Sequence, residues 1–219
     1  MRFVANFVSI LCHPLFLVFF LISLAMMINP YQYYASGSFA TGAMHFMNFF
    51  LLVLFPMVGV AMLAGLKMIS NIRMPEREDR IGPLLITLSF YIWYFINIKD
   101  NGAYPDSHRF VALGATLAVG LGFFVNNFNK ISLHAIGASA FLTSLFLLIF
   151  SLRTSFIDIH LSLIGSYRLS SIFALLFATI MAGAVGSSRL YLKAHTPKEV
   201  YGGYVLGVFS QIVAFRIYM

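Results

Sequence analysis

Long unbroken apolar runs constrain this chain more than any other feature. Within its 219 residues they fall at about 4–28, 43–66, 83–98, 110–125, 133–152, 169–187 and 200–215, and several approach the ~18–20 residues that cross a hydrocarbon layer as a helix. Backbone N–H and C=O groups in hydrocarbon need partners, which a helix supplies from within itself. Nothing in the sequence alternates with the period of two that a transmembrane barrel requires. The expectation is an all-α, polytopic membrane bundle of six to seven transmembrane helices. The fourth run decides the count, because Phe110 to Val125 is short and carries Gly114, Gly120 and Gly122, so that it either spans, tilts or re-enters. The first run begins Met1-Arg2 but far exceeds the ~7–15-residue core of a signal peptide, and reads as one uncleaved helix.

Composition closes off the alternatives. Charged residues make up only 10% of the chain, against roughly 25% in soluble domains, so no separate soluble domain fits beside the runs. The chain reads as one integral membrane domain, with two N-terminal helices in residues 1–66 and a core in 67–219. The single Cys12 excludes a disulfide framework within the chain. Fourteen basic residues against seven acidic suggest an acidic partner, yet the cations stand where apolar runs stop rather than on a solvated face, so nucleic acid is not expected. Tyr31, Tyr33, Tyr34, Tyr91, Trp93 and Tyr94 read as interfacial anchors. His13 and His45 lie inside apolar runs and read as neutral groups bonded to neighbouring helices, while His108 and His160 fall in or beside links and read as solvated.

Three links carry residues suited to phosphate chemistry. The last contains Ser188-Arg189, five residues, His195, three residues, Glu199, three residues, Gly203. His195 and Glu199 are four apart; a helix through both would put them on one face, where the carboxylate takes the Nδ1 proton and turns the other ring nitrogen outward. Thr196 suits an N-cap and Pro197 the first helical position after it. The second link reads Ile131-Ser132-Leu133-His134 at the start of an apolar run, where helix N–H groups favour an anion and Ser132 also suits an N-cap. In the third, Arg73 and Arg80 are seven apart, two helical turns, which lets both guanidiniums face one side.

Together these patterns resemble the type 2 phosphatidic acid phosphatases, which share a fold with vanadium haloperoxidases. That family carries Lys-x6-Arg-Pro, Pro-Ser-Gly-His and Ser-Arg-x5-His-x3-Asp. Here the third pattern is met at Ser188, Arg189 and His195, with Glu199 for Asp; the second is met at Ser132 and His134, with Ile131 for Pro. The first keeps its spacing as Arg73-x6-Arg80, with Arg for Lys and Ile81 where Pro is usual. Two apolar runs separate each motif from the next, so all three fall on the same membrane face.

The resemblance implies a divergent membrane phosphatase acting through a phosphohistidine. His195 would be the nucleophile, Glu199 its orienting carboxylate and His134 the general acid. Arg189, Arg80, Arg73 and Ser132 would hold the phosphoryl oxygens. It implies no metal and no cofactor, and a substrate such as a phospholipid phosphate or a polyprenyl phosphate, met among membrane lipids. Nine of the fourteen cations lie on the motif face, which by charge alone would be cytoplasmic. Three of them are the phosphate-binding candidates, and the family works on the outer side. The expectation is therefore a bacterial inner membrane protein with its motif face outward. An inactive relative that binds an anionic headgroup, or an unrelated transporter or scaffold, are the competing readings.

Overall fold

The structure, a computed structural model, describes residues 2–28, 33, 37–72, 74, 76–161 and 165–219. The chain begins with α1 (Arg2–Leu11) and α2 (Pro14–Ile28), set at 52° to each other. The first run is therefore not one helix. Pro14 has no N–H and its ring crowds the carbonyl four residues back, so it breaks the ladder and opens a new helix at its first position. The Pro14 backbone packs onto Gly137, where a Cβ would stand 3.2 Å from the Pro14 Cα.

A continuous helical rod follows: α3 (Gly37–Phe49), one π-helical turn at Phe50–Leu54, and α4 (Phe55–Gly65). After a link closed by a 3-10 turn at Glu78–Arg80 come α5 (Ile81–Lys99), α6 (Asp106–Asn126) and α7 (Leu133–Ser151). The strands β1 (Phe156–Leu161) and β2 (Gly165–Ser170) then pair antiparallel, with Phe156 opposite Ser170. α8 (Ser171–Tyr191) and α9 (Pro197–Tyr218) complete the chain. Among the described residues six helices are long and apolar enough to cross a membrane, or seven if the bent pair α1 and α2 counts as one span. The fourth run is a full 21-residue helix, because Asp106, Ser107 and His108 extend it by a turn before Phe110. The hairpin replaces what reads in sequence as a plain link; its register sets Asp158 opposite Arg168, and their side chains pair at 2.9 Å.

α9 is the central packing element, lying against both α7 and α6. Small residues permit that approach. A Cβ on Gly203 would stand 2.7 Å from the Ser132 carbonyl oxygen, and one on Gly207 2.4 Å from that of Ile136. Deeper in, the Ser144 hydroxyl donates to Gln211 Oε1 at 2.7 Å and joins α7 to α9 inside the bundle. Large apolar side chains such as Phe146, Phe150, Phe173 and Phe177 point outward, as lipid-facing residues do.

The end of the bundle away from the motifs holds a second polar cluster. His108 is fully buried, not solvated. Tyr33 donates to its Nδ1 at 3.1 Å, its Nε2 donates to the Tyr94 oxygen, and Tyr94 donates onward to Asn48 Oδ1 at 2.6 Å. Tyr91, also buried, donates to the Leu52 carbonyl at 3.3 Å. Tyr33, Tyr91 and Tyr94 are thus internal struts and not interfacial anchors. Trp93 is half-exposed on the bundle surface, while Tyr31 and Tyr34 lie outside the described residues. His45 faces Ser23 of α2 at 3.4 Å, the interhelical bond its position suggested. The His160 side chain is outside the described set.

Candidate active site

The three motif links and α1 meet at one end of the bundle. α8 ends at Tyr191, and the chain reverses through Lys193 at φ 53°, in the left-handed region, while Ala194 N–H bonds back to the Arg189 carbonyl at 3.1 Å. This turn carries His195 back toward Arg189. Thr196 then caps α9, its hydroxyl accepting from Glu199 N–H at 3.4 Å, with Pro197 in the first turn. His195 consequently precedes the helix instead of sharing a helical face with Glu199. The two still meet: Nδ1 donates to Glu199 Oε2 at 2.6 Å, and the His195 side chain is 2% exposed.

The other two links are sewn to this one. Ser132 N–H donates to the Glu199 carbonyl at 3.2 Å, and the fully buried Ser132 hydroxyl caps α7 by accepting from Ala135 N–H at 3.3 Å. Ser132, expected among the phosphate ligands, therefore has its N–H committed and only its hydroxyl proton left for an anion. Arg80 is buried and donates through Nη1 to the Ile131 carbonyl at 2.9 Å and through Nε to that of Met74 at 3.0 Å. Arg77 donates to the Asn127 and Phe128 carbonyls at 3.1 and 2.9 Å, and Asn126 Nδ2 returns a bond to the Arg77 carbonyl at 2.9 Å. Arg73 lies outside the described residues.

His134 and Arg189 both reach α1. His134 Nε2 donates to the Ser9 carbonyl at 3.0 Å, and Arg189 Nη1 to the Ser9 hydroxyl at 3.2 Å. Arg189 Nε is buried without a partner among the described residues. The His13 ring meets that of His134 edge-on, with centroids 5.6 Å apart at 84°, and His13 Nδ1 accepts from Leu15 N–H at 3.4 Å within its own link instead of from a neighbouring helix. Ser9 escapes a sequence reading, since no local pattern marks it, and nothing in the sequence ties His13, read as a neutral group inside an apolar run, to the motifs; only the count of spans puts the N-terminus on the motif face.

The electrostatics are those of an anion site. Arg80 and Arg189 are close enough to repel each other, His134 feels Arg189 and His195, and Lys130 acts on Glu199. Glu199 and Glu76 offset part of the charge on Arg80, and buried like charges of this kind favour a further counter-anion. Burial holds His195 down to about 4; the hydrogen bond to Glu199 opposes that shift, and the Arg80 and Arg189 guanidiniums reinforce it. At neutral pH its imidazole is uncharged, with the Nδ1 proton directed at Glu199 and no partner for Nε2 among the described residues. Among the described residues no three His, Cys, Asp or Glu side chains converge as a metal site would need.

A helical membrane bundle that gathers an oriented neutral histidine, a second histidine and two guanidiniums at one end has the make-up of a membrane phosphatase. The sequence model of the PAP2 superfamily matches residues 83–219, more than half of the chain, and the chain belongs to that superfamily. It is accordingly an integral membrane protein of a phosphatase family. Comparison with curated proteins and with solved structures gives no match. The matched stretch begins after Arg80, so Arg80 and Ser9 enter the site from outside it.

Proposed function

We propose that the protein hydrolyses a lipid monophosphate or diphosphate through a phosphohistidine. The observation that carries this reading is the 2.6 Å bond from His195 Nδ1 to Glu199, which commits that nitrogen and leaves the Nε2 lone pair of a neutral imidazole within the field of the Arg189 and Arg80 guanidiniums. In the first step His134, which takes a second proton at Nδ1 from the phosphate monoanion as it binds, gives that proton to the lipid oxygen as Nε2 of His195 attacks phosphorus and the bond from phosphorus to the lipid oxygen breaks. Glu199 stabilises the cation that forms on His195. In the second step water attacks phosphorus, His134 takes its proton, and the P–N bond breaks to release inorganic phosphate. Arg189 and Arg80, with the Ser132 hydroxyl and Arg73, hold the equatorial oxygens, where charge spreads in the transition state. No metal enters this scheme. The site residues gather at the end of the bundle, so the substrate's acyl or prenyl tail would stay among the helices and surrounding lipid. By family habit the motif face is outward, in the inner membrane of a bacterium.

The test is phosphate release by the purified protein, with a chelator present, from phosphatidate, phosphatidylglycerol phosphate, a polyprenyl diphosphate and a phosphorylated lipid A. Release is expected from at least one of them, lost in His195→Ala and in His134→Ala. An acid-labile, base-stable phosphoprotein is expected to accumulate when hydrolysis is quenched early. Orthophosphate binding without release from any lipid would replace this reading with that of an anionic-headgroup binder.

A further inference from the structure

The N-terminal helix lies outside the stretch that matches the family, yet it touches two of the residues just given roles. We propose that α1 completes the phosphoryl site, with Ser9 acting as a positioning residue for both Arg189 and His134. The proposal rests on the phosphatase reading above.

The break before Pro14 makes this possible. In an uninterrupted helix the Ser9 carbonyl would accept from the N–H of His13. Here His13 N–H turns instead to the Ile10 carbonyl at 3.2 Å, because the ladder ends at the break. The Ser9 carbonyl is released, and His134 Nε2–H takes it at 3.0 Å. On the same residue the hydroxyl donates to the Ala5 carbonyl at 2.9 Å, which leaves its lone pairs to accept from Arg189 Nη1 at 3.2 Å. Ser9 is itself buried, 8% exposed, on the inner side of α1.

The consequence is a symmetry between the two histidines. Glu199 holds His195 by Nδ1 and frees Nε2 for phosphorus. Ser9 holds His134 by Nε2 and so assigns Nδ1 to the leaving oxygen, while the edge-on ring of His13 fixes the plane. The Ser9 hydroxyl meanwhile holds one arm of the Arg189 fork, leaving its other donors, including the unpartnered Nε, for phosphoryl oxygens.

Two variants of the full-length protein test the two halves. Ser9→Ala removes the hold on Arg189 but keeps the carbonyl; it is expected to raise KM, and to weaken orthophosphate binding read by thermal shift, by about tenfold with kcat little changed. Ser9→Thr restores both. Ala5→Leu overfills the inner side of α1 and moves the Ser9 carbonyl. It is expected to lower kcat on an alkyl phosphate at least about tenfold more than on p-nitrophenyl phosphate, whose leaving group departs without a proton. A purely structural α1 would slow both substrates equally. Unaltered orthophosphate affinity and KM in Ser9→Ala, or equal losses on the two substrates in Ala5→Leu, overturns the proposal while the wild type remains a phosphatase. A wild type that neither binds orthophosphate nor hydrolyses any phosphate ester fails the phosphatase reading itself, and this one with it.

Discussion

His195 stands two residues ahead of the helix that carries Glu199, and that offset explains the longer carboxylate. Where the family pattern has Asp, one more methylene lets the side chain at 199 reach out of the first turn of α9 to Nδ1 at 2.6 Å. Glu199→Asp, although it restores the family residue, is therefore expected to lose its grip on the ring and to lower kcat/KM about 10²-fold, the scale of a ~1 Å misplacement. Thermal unfolding should stay near wild type, and assay of the variant on the same lipid phosphate decides the point. At this scale the pairing of His195 with Glu199, the Thr196 cap and the Ser132 cap were all legible, because each depends on neighbours within a few residues. Ser9 and His108 were not. Ser9 meets the site through a helix break and through contacts 125 and 180 residues away along the chain, to His134 and Arg189. His108 looked solvated beside Asp106, and only the packing of α6 shows that it faces inward to Tyr33 and Tyr94.

Between elements, the site is held by how closely α9 approaches α7. Gly203 and its neighbour Gly202 make a clean comparison. A Cβ on Gly203 would stand 2.7 Å from the Ser132 carbonyl oxygen and 2.9 Å from Ala135 Cβ, whereas one on Gly202 would meet only Ile131 Cδ1, at an ordinary 3.8 Å. Gly203→Ala should push α9 off the start of α7, cost about 1–3 kcal/mol by thermal or denaturant unfolding, and separate Glu199 from Ser132 with loss of activity. Gly202→Ala should be near neutral in both assays. The spans themselves followed from the apolar runs, since hydrocarbon allows them no other backbone solution. The bend at Pro14 does not show in hydropathy, because no charged residue interrupts the run through residues 4–28; Pro14 itself is the signal for it. The hairpin gave no signal strong enough to separate it from a loop, as its strands are six residues each and only one of its two ends leads straight into a helix.

As a whole the molecule is polar at two ends for different reasons. The motif end has buried charges and is held partly by backbone bonds from Arg77 and Arg80, whereas the far end keeps its ion pairs, Lys99–Asp100, Asp106–Arg109 and Asp158–Arg168, outside a buried chain of hydrogen bonds through Tyr33, His108, Tyr94 and Asn48. Tyr94→Phe leaves His108 Nε2 and Asn48 Oδ1 without that partner in a buried place, and should cost about 1–3 kcal/mol for each group stranded. The expected result is a lowered unfolding temperature with kcat/KM retained at 25 °C, since no motif residue shares that network; a catalytic defect in well-folded protein would contradict this division of labour.

The exposed side of α1 adds a last point. Phe3, Phe7 and Ile10 project outward from a helix whose opposite side, at Ser9, forms part of the site wall, which is the arrangement of a helix lying along a lipid surface. For the lipid phosphate proposed above as substrate, a headgroup would then be met at its own depth, without being lifted out of the leaflet. The quantity that governs encounter is molecules per unit area, and the search for substrate runs in two dimensions instead of three.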